Sequence, residues 1–214
     1  MAVLSFLMLL PGAFLAPVIH EFTKARVSTV LGDPTPRKHG FVTFNPFKFF
    51  EPIGFFFMLT FWVGWGQPVP TSPLHYKDRR KGVALTYTVP IFMNLLVGLF
   101  VFGLWRIALP GLDMWQAGLF VTGVTWPHHL IRNINEMIRF FAVCNIGLAV
   151  FNLIPVHPMA GSKLLQLVVS PETSLRMNHY EKPMQIMLIL MLVLGVVDMF
   201  VGPIRAFFMT MVWL

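Results

Sequence analysis

Apolar residues run along this chain in long blocks, and polar residues collect in the short stretches between them. A helix that crosses a bilayer needs about 20 predominantly apolar residues. Four blocks reach or approach that length: about Val3 to Thr23, Val83 to Ile107, Met137 to Val156, and Pro183 to Val201. A further apolar stretch follows from Ala206 to Leu214. Pro11 and Pro17 fall inside the first block and predict a bend there unless neighbouring helices compensate, because each removes a backbone donor. Two more blocks, Ile53 to Trp65 and Leu112 to Trp126, are short for a span and suit re-entrant or interfacial segments. The stretch from Gly40 to Phe50 is rich in Phe, Val and Thr and predicts a short strand or hairpin at the membrane surface. Pro34, Pro36, Pro46, Pro52, Pro68, Pro70 and Pro73 exclude long helices from this region. No repeat, low-complexity linker or second domain interrupts the pattern.

Composition agrees. Hydrophobic residues make up 56% of the chain and charged residues 12%, against about 45–50% and about 25% in soluble domains. The net charge of +7 does not point to nucleic acid, because no nucleic-acid motif accompanies it and the basic residues lie in short loops between apolar runs. If Ile53–Trp65 dips in and returns, 12 of the 16 basic residues share one side, and Arg106, Arg132, Arg139 and Arg205 lie on the other. That bias marks the basic loops as cytoplasmic and the N-terminus as external. The apolar start, Ala2 to Ile19, lacks a basic leader and is read as a retained helix. Cys144 is the single cysteine and is read as a small buried hydrophobe.

Candidate chemistry begins where the first apolar block ends, at HEFTKA, His20 to Ala25. A zinc protease helix reads H-E-x-x-H, with two histidines on one helical face and the glutamate as general base. Here Lys24 takes the fifth position. Downstream come LGDPTPRKHGFVTFNPFKFFEPIG (31–54), GWGQPVPTSP (64–73), VPIFMNLL (89–96) and FNLIPVHPMAGSKLL (151–165). This ordered series resembles the bacterial site-2 protease family of intramembrane zinc metalloproteases, over about residues 15 to 210. The resemblance implies an all-α polytopic membrane protein with about 4–6 transmembrane helices, a re-entrant or short β segment, and a single transmembrane domain over 1–214.

Carried over position by position, His20 matches the first zinc histidine and Glu21 the catalytic glutamate. Lys24 stands where the second histidine belongs, and Ala160 where the Leu-Asp-Gly aspartate belongs. Val89, Phe49, Glu51 and Gln67 are lesser departures. Asp33, Asn45, Pro46, Pro68, Pro70, Pro90, Asn94, Asn152 and Pro155 match the framework. Catalytic zinc takes three protein ligands and leaves one position for water. His20 alone does not hold it, so no metal is expected and Glu21 is vestigial. Loss of zinc and aspartate together, with Lys24 gained, keeps the site's charge at zero, and unpaired charge in a membrane is costly. Lys24 is therefore expected to pair with Glu21, three positions back on the same helix, with His20 completing a metal-free polar plug. The alternative is a rebuilt metal site in which His157 joins His20 and Glu21.

His128 and His129 are neighbours that share no helical face and, with Trp126 and Arg132, read as an interfacial belt. His39, His75 and His179 read as loop residues. The run from Lys77 to Lys81 reads as an anchor near anionic lipid. The resemblance then implies a catalytically inactive site-2-protease-like protein of a bacterial inner membrane, a pseudoprotease acting as a structural or binding subunit of a larger complex. Its expected partners are other transmembrane subunits, membrane segments and lipid, with no cofactor. The alternative is an active intramembrane zinc endopeptidase with non-standard ligands.

Overall fold

The structure, a computed structural model, describes the backbone of residues 2–121 and 126–213 and the side chains of 6–108, 130–199, 201–203, 206–207 and 210. The described chain is helical, and no strand occurs among the described residues. Among the described residues, three helices are long and apolar enough to cross a membrane, at Phe6–Val30, Arg79–Ala108 and Leu130–Phe151. This makes the chain a membrane protein with fewer candidate spans than the four to six expected.

The first span belongs to α1, Ala2–Val30, which continues through Pro11 and Pro17 as one element and seven residues past Thr23. The helices at Arg79–Val121 and Trp126–Phe151 both pack against it, the setting in which membrane helices tolerate proline. The second belongs to α4, Arg79–Val121. The expected separate block at Leu112–Trp126 begins as a continuation of this helix, and residues 122–125 lie outside those described. The third belongs to α5, Trp126–Phe151. The fourth expected block is not one helix. It is divided into α8, Glu181–Val193, and α9, Val196–Trp213. Gly195 between them takes φ 74°, a left-handed conformation that glycine adopts without a Cβ penalty.

Small residues let the spans approach. A Cβ on Gly12 would lie 2.9 Å from the Phe141 backbone of α5, and one on Gly98 of α4 would lie 2.9 Å from the Ala142 carbonyl. Ala13 and Ala16 are fully buried in the same contact zone. Close backbone approach at small residues is how helices associate where lipid offers no hydrophobic drive. The outward face of α4 stays bare, with Phe92, Leu96, Phe100, Leu104 and Ile107 exposed.

The 40–50 stretch is not a strand or hairpin. It forms bends and then a 3-10 turn at Pro46–Phe49. Pro46 has no N–H for a ladder, and Asn45 Oδ1 accepts the Phe47 N–H at 3.1 Å, a local bond that competes with sheet pairing. Phe41 and Phe49 turn inward against Ala25 and Val69. Next, α3 (Pro52–Phe61) spans 10 residues, about 15 Å at about 1.5 Å per residue, half of a hydrocarbon core of about 30 Å. The chain then doubles back, and Gln67 N donates to Phe49 O at 2.8 Å. The excursion at Ile53–Trp65 is therefore a short helix and an extended return. Between α1 and this loop runs α2, Thr35–Lys38. The remaining helices are α6, Ala160–Leu165, and α7, Pro171–His179.

Candidate functional site

His20, Glu21 and Lys24 lie on the inward side of α1 and are all buried. Lys24 Nζ sits 2.9 Å from Glu21 Oε2 and 3.2 Å from Oε1. Both side chains are less than a tenth exposed (8% and 9%), so water does little to screen the pair. Lys24 Nζ also lies 5.4 Å from the centre of the Tyr87 ring, within range of a cation–π attraction.

A loop closes over the carboxylate. Val69 N donates to Glu21 Oε2 at 2.8 Å. Its neighbours Pro68 and Pro70 have no N–H, so Val69 carries the one backbone donor of that tripeptide. Gly66 lets the loop press down, since a Cβ there would sit 3.0 Å from Phe49 O and 3.2 Å from Glu21 Cγ.

His20 is held from the other side. Its Nδ1 is 3.0 Å from Asn94 Oδ1. Asn94 Nδ2 donates to Ala16 O at 3.0 Å and to Asn145 Oδ1 at 2.9 Å. With the amide so oriented, its oxygen is the group facing His20, and Nδ1–H is the donor. A cavity of about 10 Å³ adjoins His20, Glu21, Asn152 and Met159, room for about one water molecule.

The stretch after α5 is fastened by Asn152. Its Nδ2 donates to Leu148 O at 3.0 Å, its Oδ1 accepts from Ala160 N at 3.3 Å, and its carbonyl accepts from Gly161 N at 2.7 Å. A Cβ on Gly161 would strike the carbonyls of Leu153 and Ile154. Ala160 points into an apolar cluster with Ile91 and Ala149. Its methyl group brings no donor atom to the polar cluster of His20, Glu21 and Lys24.

His157 is not among the hydrogen-bond partners of His20. Its Nδ1 lies 3.7 Å from Glu181 Oε1, and Lys163 Nζ is 2.5 Å from the same oxygen. Burial pushes the His157 imidazole below its ordinary value against the pull of Glu181, and Lys163 and Lys24 push the same way as burial. Pro155 is exposed and lines an apolar cavity with Val150, Leu153 and Leu188, away from the polar cluster. His128 and His129 lie outside the residues whose side chains are described.

Two groups escaped the sequence reading. Asn145 is fully buried beneath Asn94. A lone amide in an apolar span is itself a signal of an inward-facing position. The second is a network around Asp33. Asp33 Oδ2 accepts from Ser28 Oγ at 2.9 Å and from Ser72 N at 2.7 Å, and Oδ1 accepts from Thr35 N at 2.9 Å. Tyr76 Oη bridges Ser28 at 2.8 Å and Thr86 at 3.0 Å. Burial works to raise the Asp33 carboxyl, but bonds from Thr35, Ser72 and Ser28 outweigh it and hold the group below the usual carboxylate range.

These donors do not fit a zinc ion. A catalytic site needs three protein ligands. His20 offers one imidazole, the Glu21 carboxylate beside it is occupied by the Lys24 ammonium, and Ala160 has no donor atom in its side chain. Among the described residues, no three of His, Cys, Asp and Glu come together as a set that would hold a metal ion.

With this geometry in hand, one similarity bears on it. Over 164 residues the chain is 28% identical to the "Putative zinc metalloprotease YwhC" of Bacillus subtilis (strain 168). The relationship is metalloprotease-like. It covers 76% of this chain and 69% of that protein, including a long stretch beyond any single motif. No protein-family profile matches the chain, and no solved structure matches it.

Proposed function

We propose that this chain is a degenerate, non-catalytic relative of the site-2 proteases, a single transmembrane unit over 1–214 that serves as a structural or binding subunit of a membrane protein complex. The observation that carries this reading is the ammonium group of Lys24, seated on Glu21 where the family pattern has a zinc-bound histidine. Glu21 is the residue that would act as general base toward a metal-bound water. Its carboxylate instead accepts from Lys24 and from Val69. The unit binds no cofactor. It sits in a bacterial inner membrane with the basic loops in the cytoplasm, in line with their charge bias. Its partners are transmembrane subunits or membrane segments, and the bare apolar face of α4 gives them, or lipid, a surface to cover.

The name of the Bacillus subtilis relative favours a second reading, an active intramembrane zinc endopeptidase with non-standard ligands. Native mass spectrometry of the chain extracted from its own membrane separates the two. A subunit is expected at a mass above its own 24.4 kDa, carrying other membrane chains in fixed ratio. A solitary chain that retains zinc and cleaves a transmembrane peptide would favour the endopeptidase.

A further inference from the structure

A large cavity lies outside the polar plug. It measures about 850 Å³ and opens where α4 begins. Since α4 supplies the span Arg79–Ala108, this mouth sits at one boundary of the membrane. Its wall has two characters. Arg79 and Arg80 stand on one side, Lys163 of α6 and Asn178 of α7 on another, and Leu74, Val83 and Leu167 complete it.

The charges around it are unevenly matched. Glu181 is the one acid in the wall, and Lys163 holds it at 2.5 Å. Asp78, just before α4, is 3.7 Å from Lys81 and accepts the Lys81 N–H at 3.0 Å. That leaves the guanidinium groups of Arg79 and Arg80 with no acidic partner among the described residues. Asn178 adds a neutral donor. Its Oδ1 accepts from Lys163 at 3.1 Å and from Gln166 at 3.0 Å, which turns its NH2 group away from both.

We infer that this cavity is a binding site for a phosphate-bearing anion, held by the Arg79 and Arg80 side chains at the membrane boundary. A guanidinium presents paired N–H donors that match phosphate oxygens. The apolar part of the wall suits an amphiphile, so a phospholipid headgroup and a free phosphate are the two sources of the same chemistry. The site is narrower than a general attraction of basic loops to anionic lipid. Lys77 and Lys81 belong to the same basic run but do not line the cavity. It stands independently of the function proposed above.

The full chain in neutral detergent provides the test, with soluble short-chain phosphatidylglycerol and inorganic phosphate as probes. Binding is measured for the wild type, for Arg79→Gln/Arg80→Gln and each single change, and for Lys77→Gln/Lys81→Gln. Both double variants remove the same charge. Saturable binding is expected, weakened at least about tenfold by the arginine pair and less than about twofold by the lysine pair, because one bidentate contact is typically worth about a factor of ten. Displacement of the lipid probe by inorganic phosphate assigns the site to the free ion, and resistance to displacement assigns it to the lipid headgroup. Equal loss in the two double variants, or no saturable binding of either probe, would overturn the inference.

Discussion

Val69 N and Lys24 Nζ converge on one atom, Glu21 Oε2, at 2.8 and 2.9 Å. The carboxylate is thus held by a cation from its own helix and by an amide from the loop above it. Removing the cation leaves a buried anion with only a neutral donor. Lys24→Met is expected to destabilise the protein by about 3–5 kcal/mol, the usual cost of breaking a buried pair from one side. Adding Glu21→Gln removes the stranded charge and keeps an acceptor for Val69, so the double variant is expected to recover most of the loss. Thermal unfolding in detergent reads both, and additive losses in the double variant would show that the two side chains are not coupled.

Asn94 joins three elements through its amide, reaching His20 and Ala16 on α1 and Asn145 on α5 from its own place on α4. Asn94→Leu keeps the approximate volume and takes the hydrogen-bond partner from His20 Nδ1 and Asn145 Oδ1. Each unsatisfied buried group costs about 1–3 kcal/mol, so a drop of at least about 2 kcal/mol is expected. Asn152→Leu is expected to act in the same direction by leaving Ala160 N without its side-chain acceptor, while the Leu148 carbonyl keeps the Asn152 N–H. Denaturant or thermal titration of the two variants measures it.

Asp33 gives stability a pH dependence of definite sign. Its folded carboxyl lies below the usual range, so the folded state binds a proton less readily than the unfolded state does. Its contribution is therefore fully present above the unfolded value of about 3.9 and is lost as pH falls through the lower folded value. Asp33→Asn is expected to be less stable than wild type at neutral pH, with the gap narrowing as pH drops below about 4. Parallel unfolding curves for the two proteins across that range would contradict this.

The two departures proposed at Lys24 and Ala160 are reversible in principle. Lys24→His/Ala160→Asp restores a histidine four residues after His20 and a carboxylate at the third position. Such a set supplies the three ligands that zinc needs, and the double variant is expected to bind about one zinc per chain. Each single variant supplies at most two and is expected to bind none tightly. Metal titration against a chelating dye distinguishes the three proteins. Failure of the double variant would count against the assignment of Ala160 as the lost aspartate.

Much of the site is readable from residue spacing, because it is local. Glu21 and Lys24 are three apart on one helix, and that period places them together before any tertiary contact is known. Val69 and Asn145 are a different matter. Both reach the cluster through the packing of distant segments, and nothing adjacent in sequence names their targets. The fold misled where backbone chemistry overrode composition. Val42, Thr43 and the phenylalanines favour a strand by type, but Pro46 lacks an N–H and the Asn45 side chain takes the Phe47 N–H that a strand would need. The block from Pro183 to Val201 has the hydropathy of a span. Gly195 divides it all the same, and a hydropathy average does not register one left-handed residue. Pro11 and Pro17 lie inside α1 without ending it, and α4 and α5 pack along that helix.

Whether His20 ever carries a metal is decided by zinc analysis of the full chain, purified without chelators from zinc-supplied cells and measured beside its His20→Ala variant. The expected result is background zinc in both, with Lys24 still seated on Glu21. About one zinc per chain, lost on replacing His20, would contradict a metal-free plug and return the protein to the hydrolases.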